Sequence, residues 1–265
     1  MQVWIHKKMI VTLGLVILGG IAIFAIKHSH AAESKQPNNL QNVSLILKTN
    51  HALTSEKLNF IHELIPIIDN YNLMLLNQRK KLHKLQELWH KQGHLTSEQL
   101  FWLKQKAQQY QINFNLHKPE SWHLLKRRID IIPRSLALAQ AINESGWGNS
   151  RFAKQGYNLF GQWCYQTGCG IVPKKLPTGR YFEVKKFSSI NESVASYMRN
   201  LNTNKAYTSL RIIRERLRHQ EKKPTGDQLA QGLVAYSSQG DEYVKRIKKL
   251  IAHYQLQTLD GHYVT

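Results

Sequence analysis

From Ser55 onward, apolar residues return every three or four positions: Leu58, Ile61, Leu64, Ile65 and Ile68, then Leu82, Leu85, Leu88 and Trp89, then Leu100 and Leu103. That period marks one face of a helix, and it predicts two or three amphipathic helices between 55 and 110. Thr96 followed by Gln99 has the spacing of a capping box, in which each side chain satisfies the other residue's backbone N–H. A second helical block begins near Leu124, is interrupted at Pro133 and runs to Glu144. Proline is tolerated as the first residue of a helix because its missing N–H is not needed there.

Around 170–187 the pattern changes. Residues 170–175, the turn Pro177-Thr-Gly179 and residues 180–187 predict a β-hairpin, with Phe182 and Val184 on one face and Glu183 on the other. Ser189 and Glu192 repeat the capping-box spacing and open a helix to about Asn202. Further helices follow over about 206–219, 225–236 and 241–255. The fold class is mainly α (α+β), with one small β lobe and no internal repeat.

The first 32 residues differ from the rest. Met9 to Ile26 is 18 residues without a charge, preceded by Lys7 and Lys8 and followed by Lys27. This length is near the minimum for a spanning helix, and the two leading lysines favour an inside amino terminus. The expectation is a signal anchor in the inner membrane, with everything after it facing the periplasm. A cleaved signal peptide is the alternative, although His28-Ser-His-Ala-Ala32 offers only a weak small-residue cleavage site. Residues 33–52, polar and carrying Pro37, form a linker. A helical extension over 53–120 and a domain over 121–257 complete the organisation.

Lysine and arginine number 37 against 17 acidic residues, a formal net charge of +20. Such an exported chain adheres to polyanions or anionic surfaces. Its basic residues are scattered, as in Arg211, Arg214, Arg216 and Arg218 on one helix, and export argues against nucleic acid as partner. The two cysteines, Cys164 and Cys169, are spaced C-x4-C between glycines. Outside the cytoplasm such a pair oxidises and staples a short loop. Free thiols are the next reading, and no zinc-type spacing of further ligands supports a metal site. No cofactor motif is present.

The candidate chemistry centres on Leu136-Ala-Leu-Ala-Gln-Ala-Ile-Asn-Glu144-Ser-Gly-Trp-Gly148. One carboxylate stands where a helix of small and apolar residues gives way to two glycines, which end helices through left-handed backbone angles. Gln140 lies one turn before Glu144 on the same face, and Trp147 offers a flat ring of the kind sugars stack on. Glycosidic hydrolysis requires a protonated acid at the leaving oxygen and commonly a second carboxylate. Glu144 fits the acid, since packing against apolar residues raises a carboxyl pKa, and Glu183, on the polar face of the hairpin, fits an ionised partner. Between them lie Asn158, Phe160, Gln162 and Trp163, aromatic and amide residues that suit a carbohydrate groove. Tyr236 and Tyr243 flank a glycine-centred turn, where a tyrosine hydroxyl can orient water or an acetamido oxygen. Serine or cysteine nucleophiles lack support, because neither G-x-S-x-G nor a Cys-His arrangement occurs.

These motifs together resemble the N-acetylglucosaminidase-type peptidoglycan hydrolases, and within them the Bax-like branch. The resemblance is carried by residues 138–152, by Asn158-Leu-Phe-Gly-Gln-Trp-Cys164, by Gly168-Cys-Gly-Ile-Val-Pro173, by Tyr197-Met-Arg-Asn-Leu-Asn-Thr203 with Ala206-Tyr207, and by Gly232-Leu-Val-Ala-Tyr-Ser237 with Tyr243. It implies a lysozyme-like helical domain with a β-hairpin lobe beside a glycan groove. It also implies hydrolysis of the β-1,4 bond after N-acetylglucosamine in peptidoglycan glycan strands. On this resemblance Glu144 is the catalytic acid, Glu183 the second, more variable carboxylate, and Tyr243 the late active-site tyrosine. A lytic transglycosylase and a non-catalytic wall-binding scaffold are the competing readings.

Overall fold

The computed structural model describes residues 53–174 and 181–261. The expected anchor over 9–26, the linker over 33–52 and the turn Pro177-Thr-Gly179 lie outside them. Among the described residues no helix is long and apolar enough to cross a membrane.

The predicted helices between 55 and 110 resolve into two: α1, Ser55–Gln92, and α2, Ser97–Gln109. Gly93 ends α1 in the left-handed region at φ 70°, and the Thr96/Gln99 capping box opens α2. α1 runs through Pro66 without ending. Its apolar stripe on both sides of the proline, from Ile61 to Ile68, packs into one core, which holds the helix together across the lost hydrogen bond.

α1 spans two cores. Phe60, Ile61, Leu64, Ile65 and Ile68 belong to the main core, whereas Leu75, Leu82 and Leu85 pack with Leu103, Tyr110, Trp122 and Leu125. The helical extension therefore does not stand apart from the domain that follows. Buried Asn72 ties them, its amide donating to the Ile132 carbonyl at 2.8 Å and accepting from the Ile132 N–H at 3.1 Å. Pairing both groups of that backbone unit removes the cost of burying it.

Next come α3, Pro119–Arg128, and α4, Arg134–Ser145. Pro133 stands one position earlier than expected, as the N-cap of α4 rather than its first residue. Residues 134–142 of α4 are buried without interruption, as for a helix surrounded on every side. Its small residues let neighbours approach closely. At Gly226 a Cβ would lie 2.0 Å from Ser135 Oγ, so only glycine fits there. α5, Arg151–Gly156, follows the glycine-rich exit of α4.

The β lobe is larger than the expected hairpin. Three strands, β1 Trp163–Cys164, β2 Gly170–Ile171 and β3 Glu183–Lys185, form an antiparallel sheet in the order β1-β3-β2. Cys164 pairs with Glu183, and Ile171 with Val184. The chain then returns to helices: α6 Ile190–Thr203, α7 Thr208–His219, α8 Gly226–Ala230 and α9 Asp241–His253. Ser189 caps α6 by accepting from the Glu192 N–H at 3.2 Å. The reciprocal half of that box is absent, because the Glu192 carboxylate takes the Ser188 N–H and hydroxyl instead. α4 is packed against α1, α8 and α9 at the centre of the main core.

Candidate active site

Glu144 occupies the last turn of α4, two residues before Gly146, whose left-handed φ of 56° ends the helix after Ser145. Its Oε1 accepts from the Tyr243 hydroxyl at 2.8 Å and from the Asn143 amide at 2.9 Å. The Tyr243 oxygen accepts in turn from Gln140 Nε2 at 2.9 Å, and Gln140 Oε1 accepts from the Tyr197 hydroxyl at 2.7 Å. Three elements, α4, α6 and α9, thus feed one directional relay that ends on the carboxylate.

The direction of that relay is fixed by protonation. Burial, followed by the charge of Glu144, pushes the Tyr243 phenol far above its ordinary range. Burial likewise raises Tyr197 and Tyr236. All three phenols stay protonated, so Tyr243 can only donate to Glu144. Tyr236 stacks on Tyr243 with centroids 5.3 Å apart and donates its hydroxyl to the Phe160 carbonyl at 2.9 Å. Phe160 stacks on Tyr197 at 3.9 Å. The loop after α5 is thereby clamped against the relay.

Glu144 Oε2 faces that loop. A Cβ on Gly161, which has φ +64°, would lie 3.4 Å from Oε2. Glycine serves both the left-handed backbone and the open space beside the carboxylate.

The structure changes the reading of several residues. Gln140 is completely buried and spends its amide on two tyrosines, so it positions Tyr243 instead of meeting a substrate. Asn158, 2% exposed, donates to the carbonyls of Gln162 and Lys185 and accepts from the N–H groups of Phe160 and Gln162. It shapes the loop. Gln162 is bonded to Ser196 and Ser193, and Phe160 is buried. Trp147 carries Lys57 over its ring and packs edge-on with Phe60 and Tyr254, which ties it to the main core. Of the expected groove residues, Trp163 keeps an exposed ring, stacked on Phe182 at 4.3 Å. Tyr165 and Tyr181 of the same lobe are exposed as well, as is Tyr157 at the end of α5.

Glu183 departs furthest from expectation. It is 2% exposed, and both oxygens are engaged: Oε1 accepts from Gly168 N–H at 2.8 Å and from the Tyr181 hydroxyl, and Oε2 accepts from Gly170 N–H at 2.6 Å. The alternation along the strand pointed it to solvent, but the loop 165–169 folds back over that face. The Cys164–Cys169 disulfide closes this loop. Tyr181's hydroxyl, and then the Gly168 N–H, hold the Glu183 carboxyl below the usual carboxylate range. Among the described residues no hydrogen bond joins Glu183 to Glu144. The sulfurs of Cys164 and Cys169 lie close to Glu183, but their oxidation leaves no thiolate to hold a metal.

Tyr197 and Gly161 are the members of this constellation that sequence reasoning did not single out. Tyr197 stood within a resemblance motif, but its partner on α4 is 57 positions away.

Comparison with known proteins bears on what such a site does. Residues 120–256 match the family model described as Glucosaminidase, mannosyl-glycoprotein endo-beta-N-acetylglucosaminidase. The chain belongs to this glucosaminidase family. The family's segment begins within α3 and contains α4, the β lobe and every member of the Glu144 relay. Protein bax of Escherichia coli strain K12 is 33% identical over 191 residues, 72% of this chain and 66% of that protein, so the match spans just under two thirds of the relative's length. This glucosaminidase-family chain is accordingly Bax-like. The catalytic domain of the autolysin Auto from Listeria monocytogenes aligns at 20% identity and a TM-score of 0.38, over 63% of this chain and 90% of that one.

Proposed function

We propose that the protein is an endo-β-N-acetylglucosaminidase that cleaves the β-1,4 bond after N-acetylglucosamine in peptidoglycan, with Glu144 as general acid. The relay that ends on Glu144 Oε1 is the observation that carries this reading. Oε1 already accepts from two donors, so a proton on the carboxyl belongs on Oε2, the oxygen that faces the loop at Gly161. From there it passes to the glycosidic oxygen as the bond to the anomeric carbon breaks. Tyr243 and Asn143 then stabilise the carboxylate that remains, an interaction stronger in the transition state than in the ground state.

The positive charge that develops on the sugar needs a partner. Both oxygens of Glu183 are spent on the loop, which favours participation by the 2-acetamido oxygen of the substrate over direct attack by Glu183. Water then attacks the anomeric carbon, giving its proton back to Glu144, and opens the resulting ring to leave a reducing N-acetylglucosamine end. The exposed rings of Trp163 and its neighbours supply stacking surface for the glycan.

The protein acts in the cell envelope, anchored in the inner membrane through 9–26 or released by cleavage after it. The apolar segment supports export, and a disulfide persists outside the reducing cytoplasm. The decisive experiment incubates the purified protein and its Glu144→Gln variant with peptidoglycan and identifies the released ends by mass spectrometry. Reducing N-acetylglucosamine ends, lost in the folded variant, are the expected result. Anhydro-muramyl ends would assign a lytic transglycosylase, and full activity in the variant would remove Glu144 from the mechanism.

A further inference from the structure

A second concave feature lies where α1, α3 and α7 meet, a pocket of about 340 Å³ and so within the size range of ligand sites. None of its lining residues belongs to the Glu144 relay. Five cations line it, Arg79 from α1, Lys126 and Arg127 from α3, and Arg214 and Arg218 from α7, against two carboxylates, Asp130 and Glu215. The walls therefore carry an excess of positive charge before any histidine is counted.

The two carboxylates are already claimed. Buried Asp130 receives Arg218 at 2.6 and 3.0 Å, with Arg79 and Arg214 at 3.6 and 3.7 Å. Glu215 receives Arg127 at 2.7 and 2.8 Å on one oxygen and His123 at 2.8 Å on the other. Arg79 and Arg214 also donate to carbonyls at the end of α3 and in the connection to α4. Their role is to tie that connection to the neighbouring helices.

Lys126 and His83 are different. Among the described residues the side chain of neither takes a hydrogen bond; Lys126 is half-buried in the wall of the pocket and His83 lies exposed at its edge. Burial and the adjacent Arg79 lower the pKa of Lys126, and burial with Lys126 and Arg79 lowers that of His83. The uncompensated charge thus sits beside two donors with no protein acceptor. A planar carboxylate is met best by an arginine fork, but the forks here are spent on Asp130 and Glu215. Donors converging singly from separate helices suit a tetrahedral oxyanion, for which lysine acts as a point charge.

We propose that this pocket binds a phosphate group, with Lys126 and His83 as its direct donors and the surrounding guanidinium groups supplying the field that attracts it. The competing ligand is a divalent transition metal, because donor atoms of His123, Glu215 and His219 lie within 4.8 Å of one another. The same positive excess opposes a dication there, and Arg127 already neutralises Glu215.

Calorimetric titration of the full chain with inorganic phosphate at constant ionic strength, with chloride as control, tests the site. Saturable one-to-one binding is expected, weakened at least tenfold by Lys126→Gln and severalfold by His83→Gln, with the melting temperature of both variants unchanged. A parallel titration with short-chain phosphatidylglycerol below its micelle concentration distinguishes the sources. Tighter Lys126-dependent binding than to phosphate identifies a lipid headgroup, and binding of inorganic phosphate alone identifies a free or polymer-borne group. Phosphate heats equal to chloride, variants that bind as tightly as wild type, or zinc binding lost in His219→Gln while phosphate fails to bind, would each overturn the proposal.

Discussion

Tyr243 donates its hydroxyl to Glu144 Oε1 at 2.8 Å across 99 residues of sequence. The phenol is held protonated by its burial, and its oxygen is fixed by Gln140, so the donor is aimed before any substrate arrives. Such preorganisation matters most when the carboxyl has just given up its proton. Tyr243→Phe removes this one hydrogen bond while keeping the ring that stacks on Tyr236. A hydrogen bond to a charged group is worth about 1.5–3 kcal/mol. Turnover on peptidoglycan should fall roughly tenfold to a hundredfold with KM little changed, and steady-state kinetics on the variant measure both.

Gln140 acts through Tyr243 and not on the substrate. Gln140→Leu is close in volume but strands the buried Tyr197 hydroxyl, which loses its acceptor. A buried polar group left unpaired costs about 1–3 kcal/mol. The variant should therefore lose stability as well as activity, in contrast to Glu144→Gln. Chemical denaturation provides the check: unchanged stability would mean that the relay contributes nothing to folding.

How much of this was legible in the sequence follows the range of the interactions. The i, i+4 placement of Gln140 and Glu144 is a property of one helix, and the glycine exit of α4 is a property of four consecutive residues, so both were visible. The partners of Gln140 come from α6 and α9, and no local pattern links Tyr197 to Tyr243. The helix periods of α1 and α2 were plain, yet that α1 serves two cores depends on what packs against each half. β1 is two residues long and too short for alternation to mark. Glu183 was misjudged for a related reason: alternation identifies the two faces of a strand, but not a loop that folds over the polar one.

Gly161 joins a left-handed turn to the open space beside the acid. Gly161→Ala places a methyl 3.4 Å from Glu144 Oε2 at a backbone angle of φ +64°. The left-handed conformation costs an L-residue about 1–2 kcal/mol, against a domain stability of about 5–15 kcal/mol. On the proposed mechanism, however, the methyl fills room that the leaving oxygen of the substrate requires beside Oε2. Activity should fall by more than the loss of stability accounts for, and comparing the melting temperature with kcat/KM separates the two effects.

Glu183 gives the protein a pH dependence of definite sign. In the folded chain its carboxylate is stabilised chiefly by Tyr181 and then by the Gly168 N–H, which depresses its pKa below the ordinary value of 4.5. A depressed folded value means that the stabilisation is complete above 4.5 and is lost as the pH falls through the lower folded value. The amide resonances of Gly168 and Gly170 should therefore titrate together with a midpoint below 4.5. A midpoint at or above 4.5 would show that the loop does not hold the ionised form. Glu183→Gln removes the charge at every pH and should loosen the loop near neutrality. If the residue positions the lobe, that variant keeps well over a hundredth of wild-type turnover. A residue acting directly in proton transfer contributes about 10²–10⁴-fold, so turnover as low as that of Glu144→Gln would return Glu183 to the chemistry.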